Sequence, residues 1–317
     1  MMHNITRFAA VLGCVSALAM AGCASNGAVT PMAGTTQQQA QQSFSGPDWH
    51  YVNGVLYHTP HYMATVKGAQ SNHVPPPILL HYGNGPTLLA PKIYLTLWGY
   101  KTYGDANKVA KLLKSYIKNL GGSPLDNVET QYYMTVSGKN VNITNPSNQM
   151  GGIWKDQTNA VPANPSDSQV AAEALQAVAH FGYDANGSYV VATPHGHSTS
   201  GFGTQWCAYH SNTSSNGKYV SYTNLPYMPD AGASCGANFI SPPSDETGAD
   251  EGVTIVEGHE YAESITDPTP FNGWNSSYGE IGDLCAWTNV QNDPFHSKSY
   301  SAQPEYSNAT QSCVHSY

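Results

Sequence analysis

The segment Gly258-His-Glu-Tyr-Ala-Glu-Ser-Ile-Thr-Asp267 contains the side chains best suited to chemistry in this chain. On a helix that advances about 100° per residue, Glu263 falls near 40° and Glu260 near 100° from His259. The imidazole and one carboxylate therefore lie in the apolar sector. The solvent-facing sector is left to Glu257, Tyr261 and Ser264. Because a buried carboxylate without a partner costs several kcal/mol, the pattern predicts a bound cation.

The spacing H-E-x-x-E differs by one residue from the H-E-x-x-H helix of zinc peptidases, in which both histidines bind the metal and the glutamate acts on water. Here Glu263 stands where the second histidine would be, and a carboxylate is also a zinc ligand. We predict that His259 and Glu263 bind the metal and that Glu260 is the general base. The alternative is a buried His–Glu pair without an ion.

Two ligands are too few for zinc, so further ligands must come from other segments. Glu280 and Asp283 lie three residues apart in Gly279-Glu-Ile-Gly-Asp-Leu-Cys285, and His210 follows Cys207 by three residues. We predict all three as ligands. His195 and His197 follow a predicted strand, where loops commonly carry function, and are additional candidates.

The elements that must position these residues follow from hydrophobic periodicity. Strands are predicted at 92–98, 131–136 and 189–193, with a short edge strand at 218–223. Amphipathic helices are predicted at 105–120, capped by Asp105, at 167–181 and at 250–266. Residues 47–90 and the last 50 residues are expected to be irregular. This order predicts an α+β fold, a single domain over 47–317 with a mixed sheet, packed helices and disulfide-anchored C-terminal loops.

The N-terminal residues indicate export. Arg7 precedes an apolar run too short to span a bilayer, which predicts a signal peptide at 1–22. Met20-Ala21-Gly22-Cys23 resembles the lipobox of bacterial lipoproteins and implies a lipid on Cys23; ordinary secretion is the alternative. Residues 23–46 are rich in Gln, Ala, Ser and Thr, which predicts a disordered tether. We expect a protein anchored to the cell envelope, at the outer membrane if there are two membranes.

Composition and cysteine content restrict the function further. The net charge is −9 and only 10% of residues are charged, so nucleic acid is not an expected partner. Four cysteines remain after Cys23, and an even number in an exported chain favours two disulfides. Three connectivities are possible, of which we favour 207–235 and 285–313. A thiolate metal site is the rival, but no C-x-x-C spacing occurs.

Several short motifs occur in a fixed order: Trp206-Cys-Ala-Tyr-His210, Gly258 to Pro268, Asn272-Gly-Trp274 and Gly279 to Cys285. Together they resemble the EXORDIUM-like, phosphate-induced family of secreted plant proteins and its bacterial relatives, over roughly residues 90–317. The resemblance implies an extracellular protein whose family carries a cysteine-anchored histidine and an H-E-x-x-E helix. The order of elements is also similar to that of zincin peptidases, as an analogy of fold.

These observations favour a secreted, lipid-anchored, zinc-dependent hydrolase, in the first instance a peptidase, acting on a peptide or a cell-envelope polymer. Calcium is the alternative ion. The alternative function is a non-catalytic cell-envelope protein that binds carbohydrate or protein through its 21 Tyr and six Trp. A serine hydrolase is not favoured, because the G-x-S-x-G spacing is absent.

Overall fold

A mixed β-sheet organises the computed structural model, which describes residues 47–70 and 78–317. In chain order the strands are β1 (Trp49–Val52), β2 (Val55–His58), β3 (His61–Ala64), β4 (His81–Tyr82), β5 (Lys92–Leu97), β6 (Tyr133–Val136), β7 (Lys139–Asn142), β8 (Met150–Trp154), β9 (Gly187–Ala192), β10 (Trp206–Ser215), β11 (Lys218–Leu225), β12 (Trp274–Asn275), β13 (Gln291–Phe295), β14 (Lys298–Ala302), β15 (Glu305–Ser307) and β16 (Ser312–Val314). The helices are α1 (Val66–Gln70), α2 (Tyr100–Tyr103), α3 (Val109–Leu120), α4 (Asp167–Phe181) and α5 (Glu251–Thr266).

The main sheet has the order β1-β2-β10-β11-β9-β5-β8, and β3 pairs with the first half of β10. The pairs β11–β9, β9–β5 and β5–β8 are parallel, whereas the strands from β1 to β11 pair antiparallel through β10. The predicted mixed sheet with packed helices is therefore confirmed, and the architecture is α+β.

Helices cover both faces of this sheet. On β9, Val190 and Ala192 face the cluster that includes α3 and α5, whereas Tyr189 and Val191 face the cluster that includes α4. The same alternation on β10 directs His210 toward α5, because Ala208 lies on that face. The side chains of the central strands are consequently buried on both sides.

Two disulfides fasten the segments around α5. Cys207 at the start of β10 bonds to Cys235 in a 3₁₀ turn, and Cys285 bonds to Cys313 in β16. This is the nearest-neighbour pairing that was favoured among the three connectivities. Disulfides of this kind fit an extracellular protein. None of the helices in 47–70 and 78–317 combines the length and apolar character needed to cross a bilayer.

The prediction of irregular chain over 47–90 is wrong for residues 49–64, which form β1 to β3. Asn53 and Gly54 connect β1 to β2 with φ of 51° and 83°, the left-handed pair that defines a tight hairpin turn. The Asn-Gly signal was present, but the His- and Tyr-rich strands of four residues each show no apolar alternation.

Two predictions about the centre of the sheet are also wrong. Residues 206–215 form the longest strand of the main sheet, β10, which was not predicted as a strand. The strand predicted at an edge is β11, which lies between β10 and β9. Both strands carry polar residues such as Asn212, Ser221 and Thr223, which are buried because helices cover both faces. Polar composition therefore suggested exposure that the tertiary structure removes.

Smaller differences concern helix starts and the C-terminal region. Helix α3 begins at Val109, and Asp105 accepts hydrogen bonds from the backbone N–H groups of Val109 and Ala110 without occupying the N-cap position. Residues 131–136 divide into the end of a 3₁₀ turn and β6, which pairs with β7 outside the main sheet. The predicted C-terminal loops contain the hairpins β13–β14 and β15–β16.

Helix α5 has no solvent-facing side. Glu257, Tyr261 and Ser264, which were assigned to the solvent sector, are all buried. The sheet covers one side of the helix, while α3, β14 and several 3₁₀ turns cover the rest. The helix begins and ends close to its predicted limits of 250 and 266.

The predicted signal peptide at 1–22, the lipidation of Cys23 and the tether at 23–46 lie outside the described residues.

Candidate metal centre

Three histidines and four carboxylates meet between the sheet and α5. They come from β3, β10, α5 and the segment that leads into the 3₁₀ turn at 283–285. The members of this cluster are His61, His210, His259, Glu260, Glu263, Glu280 and Asp283.

The two strands contribute one imidazole each. His61 on β3 is the direct cross-strand partner of His210 on β10, and their ring centroids are 5.6 Å apart. The His210 side chain has 0% exposure, whereas the His61 side chain retains 14%. The strand register therefore places one buried and one partly exposed imidazole side by side.

Helix α5 places three functional groups beneath these rings. His259 and Glu263 lie one turn apart, with His259 Nε2 3.2 Å from Glu263 Oε1. Glu260 Oε2 and Glu263 Oε2 are each 3.4 Å from His210 Nδ1. All three helix side chains have 0% exposure.

The segment after β12 closes the cluster. Glu280 Oε2 lies 3.5 Å from His210 Nε2, and Asp283 Oδ1 lies 3.7 Å from His259 Nε2. The other Asp283 oxygen, Oδ2, forms a 2.6 Å hydrogen bond with His61 Nε2. Gly282 permits this approach, because a Cβ there would lie only 2.7 Å from His259 Nδ1.

Apart from the His61–Asp283 hydrogen bond, these contacts are poor as hydrogen bonds and suitable as the edges of a metal site. Most are longer than the 2.7–3.2 Å that is typical of N–H···O bonds. In a tetrahedron with zinc bonds of about 2.1 Å, neighbouring ligand atoms lie about 3.4 Å apart. The observed separations of 3.2–3.7 Å bracket this value.

Many polar atoms of the cluster are buried without any hydrogen-bond partner among the described residues. These atoms are His210 Nδ1 and Nε2, His259 Nε2, both carboxylate oxygens of Glu260 and of Glu280, and Glu263 Oε2. Buried polar groups in proteins are nearly always satisfied. Such a concentration of unsatisfied donors and acceptors in one place calls for an additional partner, and the nitrogen and oxygen donors suit zinc.

Among the described residues, lysine side chains do not supply that partner. The only arginine of the chain is Arg7, and in 47–70 and 78–317 the lysine ion pairs involve Asp184 and Asp245. Burial and the neighbouring carboxylates raise the pKa of Glu260 and of Glu280 well above the usual range. These carboxyls therefore resist ionisation as long as no cation is present.

The histidines partly offset the increase in carboxyl pKa that burial causes. Burial would raise the pKa of Glu263, but His259 and His210 outweigh it and hold the pKa well below the usual range. Burial would lower the pKa of His61, but Asp283 raises it to about 9. For His210 burial prevails and lowers the pKa. These shifts favour an ionised Glu263 and a neutral His210, as metal ligation requires. The raised pKa values of His61 and His259 instead favour protonated rings, whose protons an entering cation would displace.

The ligand atoms form two groups that have one residue in common. The inner group comprises His210, Glu263 and Glu280, whose ligand atoms all lie within 4.8 Å of one another and are fully buried. The outer group comprises His61, Glu263 and Asp283, which meet the same limit. Asp283 is 19% and His61 is 14% exposed. The outer group is therefore where the cluster meets solvent.

All six residues predicted around the motif helix belong to this cluster, and the two additional histidine candidates do not. His195 is exposed and pairs with Asp230 at 2.5 Å. His197 packs against Tyr103, with ring centroids 3.9 Å apart.

Two contributors were missed. His61 had no local signal, because its partners lie about 150 to 220 residues further along the chain. The other is Gln303, whose amide nitrogen lies 3.0 Å from His259 Nδ1 and donates to the Gly282 carbonyl. This contact fixes the ring with Nε2 facing Glu263. As placed, the amide N–H donates to Nδ1, whereas a metal-bound histidine donates its other ring N–H. Zinc ligation by His259 Nε2 would therefore require the Gln303 amide to turn its Oε1 toward Nδ1.

Comparison of the chain with protein-family models, with curated proteins and with solved structures gave no match.

Proposed function

We propose that this protein is a zinc-dependent hydrolase, in the first instance a peptidase, whose metal centre is the cluster around α5. The observation that carries the proposal is the set of unsatisfied nitrogen and oxygen atoms on His210, His259, Glu260, Glu263 and Glu280. Water alone is a weaker explanation, because it leaves Glu260 and Glu280 dependent on bound protons in a buried site, whereas a cation would stabilise their ionised forms.

The donor set favours zinc. Three imidazoles are available in addition to carboxylates, and imidazole suits zinc, whereas calcium prefers six to eight oxygen ligands. A zinc ion in this cluster would polarise a scissile carbonyl and lower the pKa of water. Its ligands would come from the set His210, His259, Glu263, Glu280 and Asp283, together with His61, which the sequence did not indicate.

Glu260 is the candidate general base. Its Oε2 lies 3.4 Å from His210 Nδ1, and among the described residues no side chain donates a hydrogen bond to either oxygen. Its carboxylate is therefore available to take a proton from the attacking water. Burial and neighbouring carboxylates raise its pKa, and a bound cation would offset this effect.

A substrate would approach from the side of His61 and Asp283. Phe271 stands beside this opening, with its ring 5.3 Å from that of His61 and in T-shaped orientation. Phe271 has a φ of 72°, a backbone conformation that bulky residues rarely adopt and that is often found at functional sites.

The experiment is metal analysis of the purified protein, followed by digestion of a peptide library with mass-spectrometric detection. We expect bound zinc and cleavage, and we expect Glu260→Gln to keep the metal but lose hydrolysis. Glu257→Gln is the matched control, because Glu257 is buried on the same helix and takes no part in the cluster contacts. Retained hydrolysis in Glu260→Gln would refute the role of Glu260.

A non-catalytic cell-envelope protein is the second candidate. The enclosed inner group favours it, because structural zinc sites are closed whereas catalytic sites keep an open position. Exposed aromatic side chains, including Tyr51 and Tyr278, would then bind carbohydrate or protein. Bound metal without cleavage of any library would support this candidate, and bound calcium would point to the oxygen ligands alone.

Export and lipid anchoring at Cys23 complete the proposal. They rest on the lipobox-like sequence, and the two disulfides are compatible with them. Mass spectrometry of the mature N-terminus tests this part, since an unmodified Cys23 would favour ordinary secretion. Similarity to the EXORDIUM-like family is likewise proposed from the motifs alone.

A further inference from the structure

We propose that the cluster binds two divalent cations, one in the inner group and one in the outer group, with Glu263 as the bridging carboxylate. The inference rests on the proposed metal binding but adds a second ion. Bridged pairs of ions about 3.5–4 Å apart are a recurrent arrangement in hydrolases, where they act together on one substrate.

The first argument is the division of the ligands. The inner and outer groups share Glu263 alone, and its two oxygens face different partners. Glu263 Oε1 lies 3.2 Å from His259 Nε2 and accepts a hydrogen bond from the backbone N–H of Asp283. Glu263 Oε2 lies 3.4 Å from His210 Nδ1. His259 belongs to neither group of three, but its Nε2 also lies 3.7 Å from Asp283 Oδ1 of the outer group. Glu263 Oε1 therefore faces the outer side of the cluster and Oε2 the inner side, as in a bridging carboxylate.

The second argument is charge. Glu260, Glu263, Glu280 and Asp283 carry four negative charges when ionised, and none of them pairs with lysine among the described residues. One divalent cation balances two of these charges, and the other two then depend on a protonated His61 beside Asp283 and on a proton kept by a buried carboxyl. Two divalent cations balance all four, with the three imidazoles neutral.

The third argument is that the two unsatisfied oxygens of Glu280 face different histidines, one in the inner group and one in the outer group. Glu280 Oε2 is 3.5 Å from His210 Nε2, while Oε1 is 3.7 Å from His61 Nδ1. Glu280 is fully buried, and neither oxygen has a hydrogen-bond partner within 47–70 and 78–317. Glu280 therefore spans from the inner to the outer group, and an ion bound at only one of them would leave one of its oxygens unsatisfied.

The two positions differ in their access to solvent. The inner ligands are fully buried, which fits a closed site with slow exchange. The outer ligands His61 and Asp283 are 14% and 19% exposed, which fits an open site that a substrate oxygen can reach. We infer that chelator removes the outer ion first.

The test is the number of zinc ions per chain, measured on the full-length protein by native mass spectrometry and by elemental analysis after dialysis against zinc. We expect two ions per chain in the unsubstituted protein. We expect one ion in His61→Ala and one in His210→Ala, and His195→Ala, which alters a histidine outside the cluster, should retain two.

A single ion in the unsubstituted protein at saturating zinc would overturn the two-ion inference, whether or not the variants fold. That result leaves the proposed hydrolase intact if cleavage is observed. No bound zinc at all would overturn both, so the two failures are distinguishable without an activity assay.

Discussion

Replacement of Glu280 by Gln should stabilise the metal-free protein and at the same time weaken the stabilisation that zinc provides. Glu280 is fully buried, and neither of its oxygens has a hydrogen-bond partner in the part of the chain that the structure describes. An unsatisfied buried polar group costs about 1–3 kcal/mol, and more if it is charged. A Gln amide is neutral at every pH, so it removes the free-energy cost of either protonating or burying this carboxylate, and it can donate to His210 Nε2, which is 3.5 Å away. We therefore expect a gain of about 1–3 kcal/mol in chelator.

In zinc the substitution should instead reduce the stabilisation that the metal provides. At free zinc about 1,000 times the dissociation constant, binding adds about 4.1 kcal/mol to the free energy of unfolding. Loss of a direct ligand should weaken binding at least about 100-fold, which exceeds the usual effect of losing a supporting residue. The zinc-dependent gain of the variant then falls to about 1.4 kcal/mol at the same zinc concentration. The stabilisation by zinc is therefore about 2.7 kcal/mol smaller in the variant than in the unsubstituted protein.

The assay is urea unfolding with intact disulfides, followed by tryptophan fluorescence in EDTA and in zinc. Glu173→Gln is the matched control, because Glu173 is a buried glutamate on α4, on the opposite face of the sheet. Its effect should be the same in both conditions. If Glu280→Gln instead destabilises the protein equally in EDTA and in zinc, the cluster is a hydrogen-bond network and not a metal site.

Three further predictions concern other parts of the molecule. Burial raises the pKa of Glu173 to about 8, so between about pH 4.5 and 8 the folded state keeps a proton that the unfolded state has lost. The free energy of unfolding should therefore fall as pH rises from about 4.5 to 8. In Glu173→Gln this part of the pH dependence should be absent from urea unfolding curves. Replacing Cys285 and Cys313 with serine opens a crosslink between positions 28 residues apart and should lower the free energy of unfolding by about 3–4 kcal/mol, and an unchanged unfolding midpoint would contradict this. Phe271→Ala removes a 55% exposed ring beside His61 and should raise KM about tenfold with kcat and zinc content unchanged; an unaltered KM would show that the ring does not contact substrate.

The local elements that the sequence predicted best are helices with clear ends. Helix α4 spans the predicted residues 167–181, because Ser166 forms a capping box with Gln169 and Gly182 ends the helix. The motif helix was predicted within a residue because Asp267-Pro268 stops it. In both cases the start and stop signals lie within a few residues of the element and do not depend on tertiary contacts.

The sheet was harder to predict, since burial of β10 and β11 depends on helices that lie far away in the chain. Serine, threonine and asparagine dominate these strands, and a local pattern cannot show that helices cover both of their faces. For this reason the prediction that β11 lies at an edge of the sheet is wrong. The prediction of a solvent-facing side on α5 is wrong for the same reason, because Glu257 and Tyr261 are buried there.

The cluster itself was predictable where its residues stand in short motifs. His259, Glu260 and Glu263 follow from helical spacing, and Glu280 and Asp283 from their position before a disulfide cysteine. His61 does not, because only the pairing of β3 with β10 brings it opposite His210. A site whose residues meet across paired strands can be recognised from the strand register but not from the spacing of residues along the chain.

The most direct test of the metal centre is anomalous diffraction at the zinc absorption edge, on crystals of the unsubstituted protein grown with zinc. The structure leads us to expect strong peaks within the cluster, at the inner group of His210, Glu263 and Glu280 and at the outer group of His61, Glu263 and Asp283. An anomalous map without a peak in this cluster, with ordered water or protonated carboxyls satisfying the same atoms, would contradict the account.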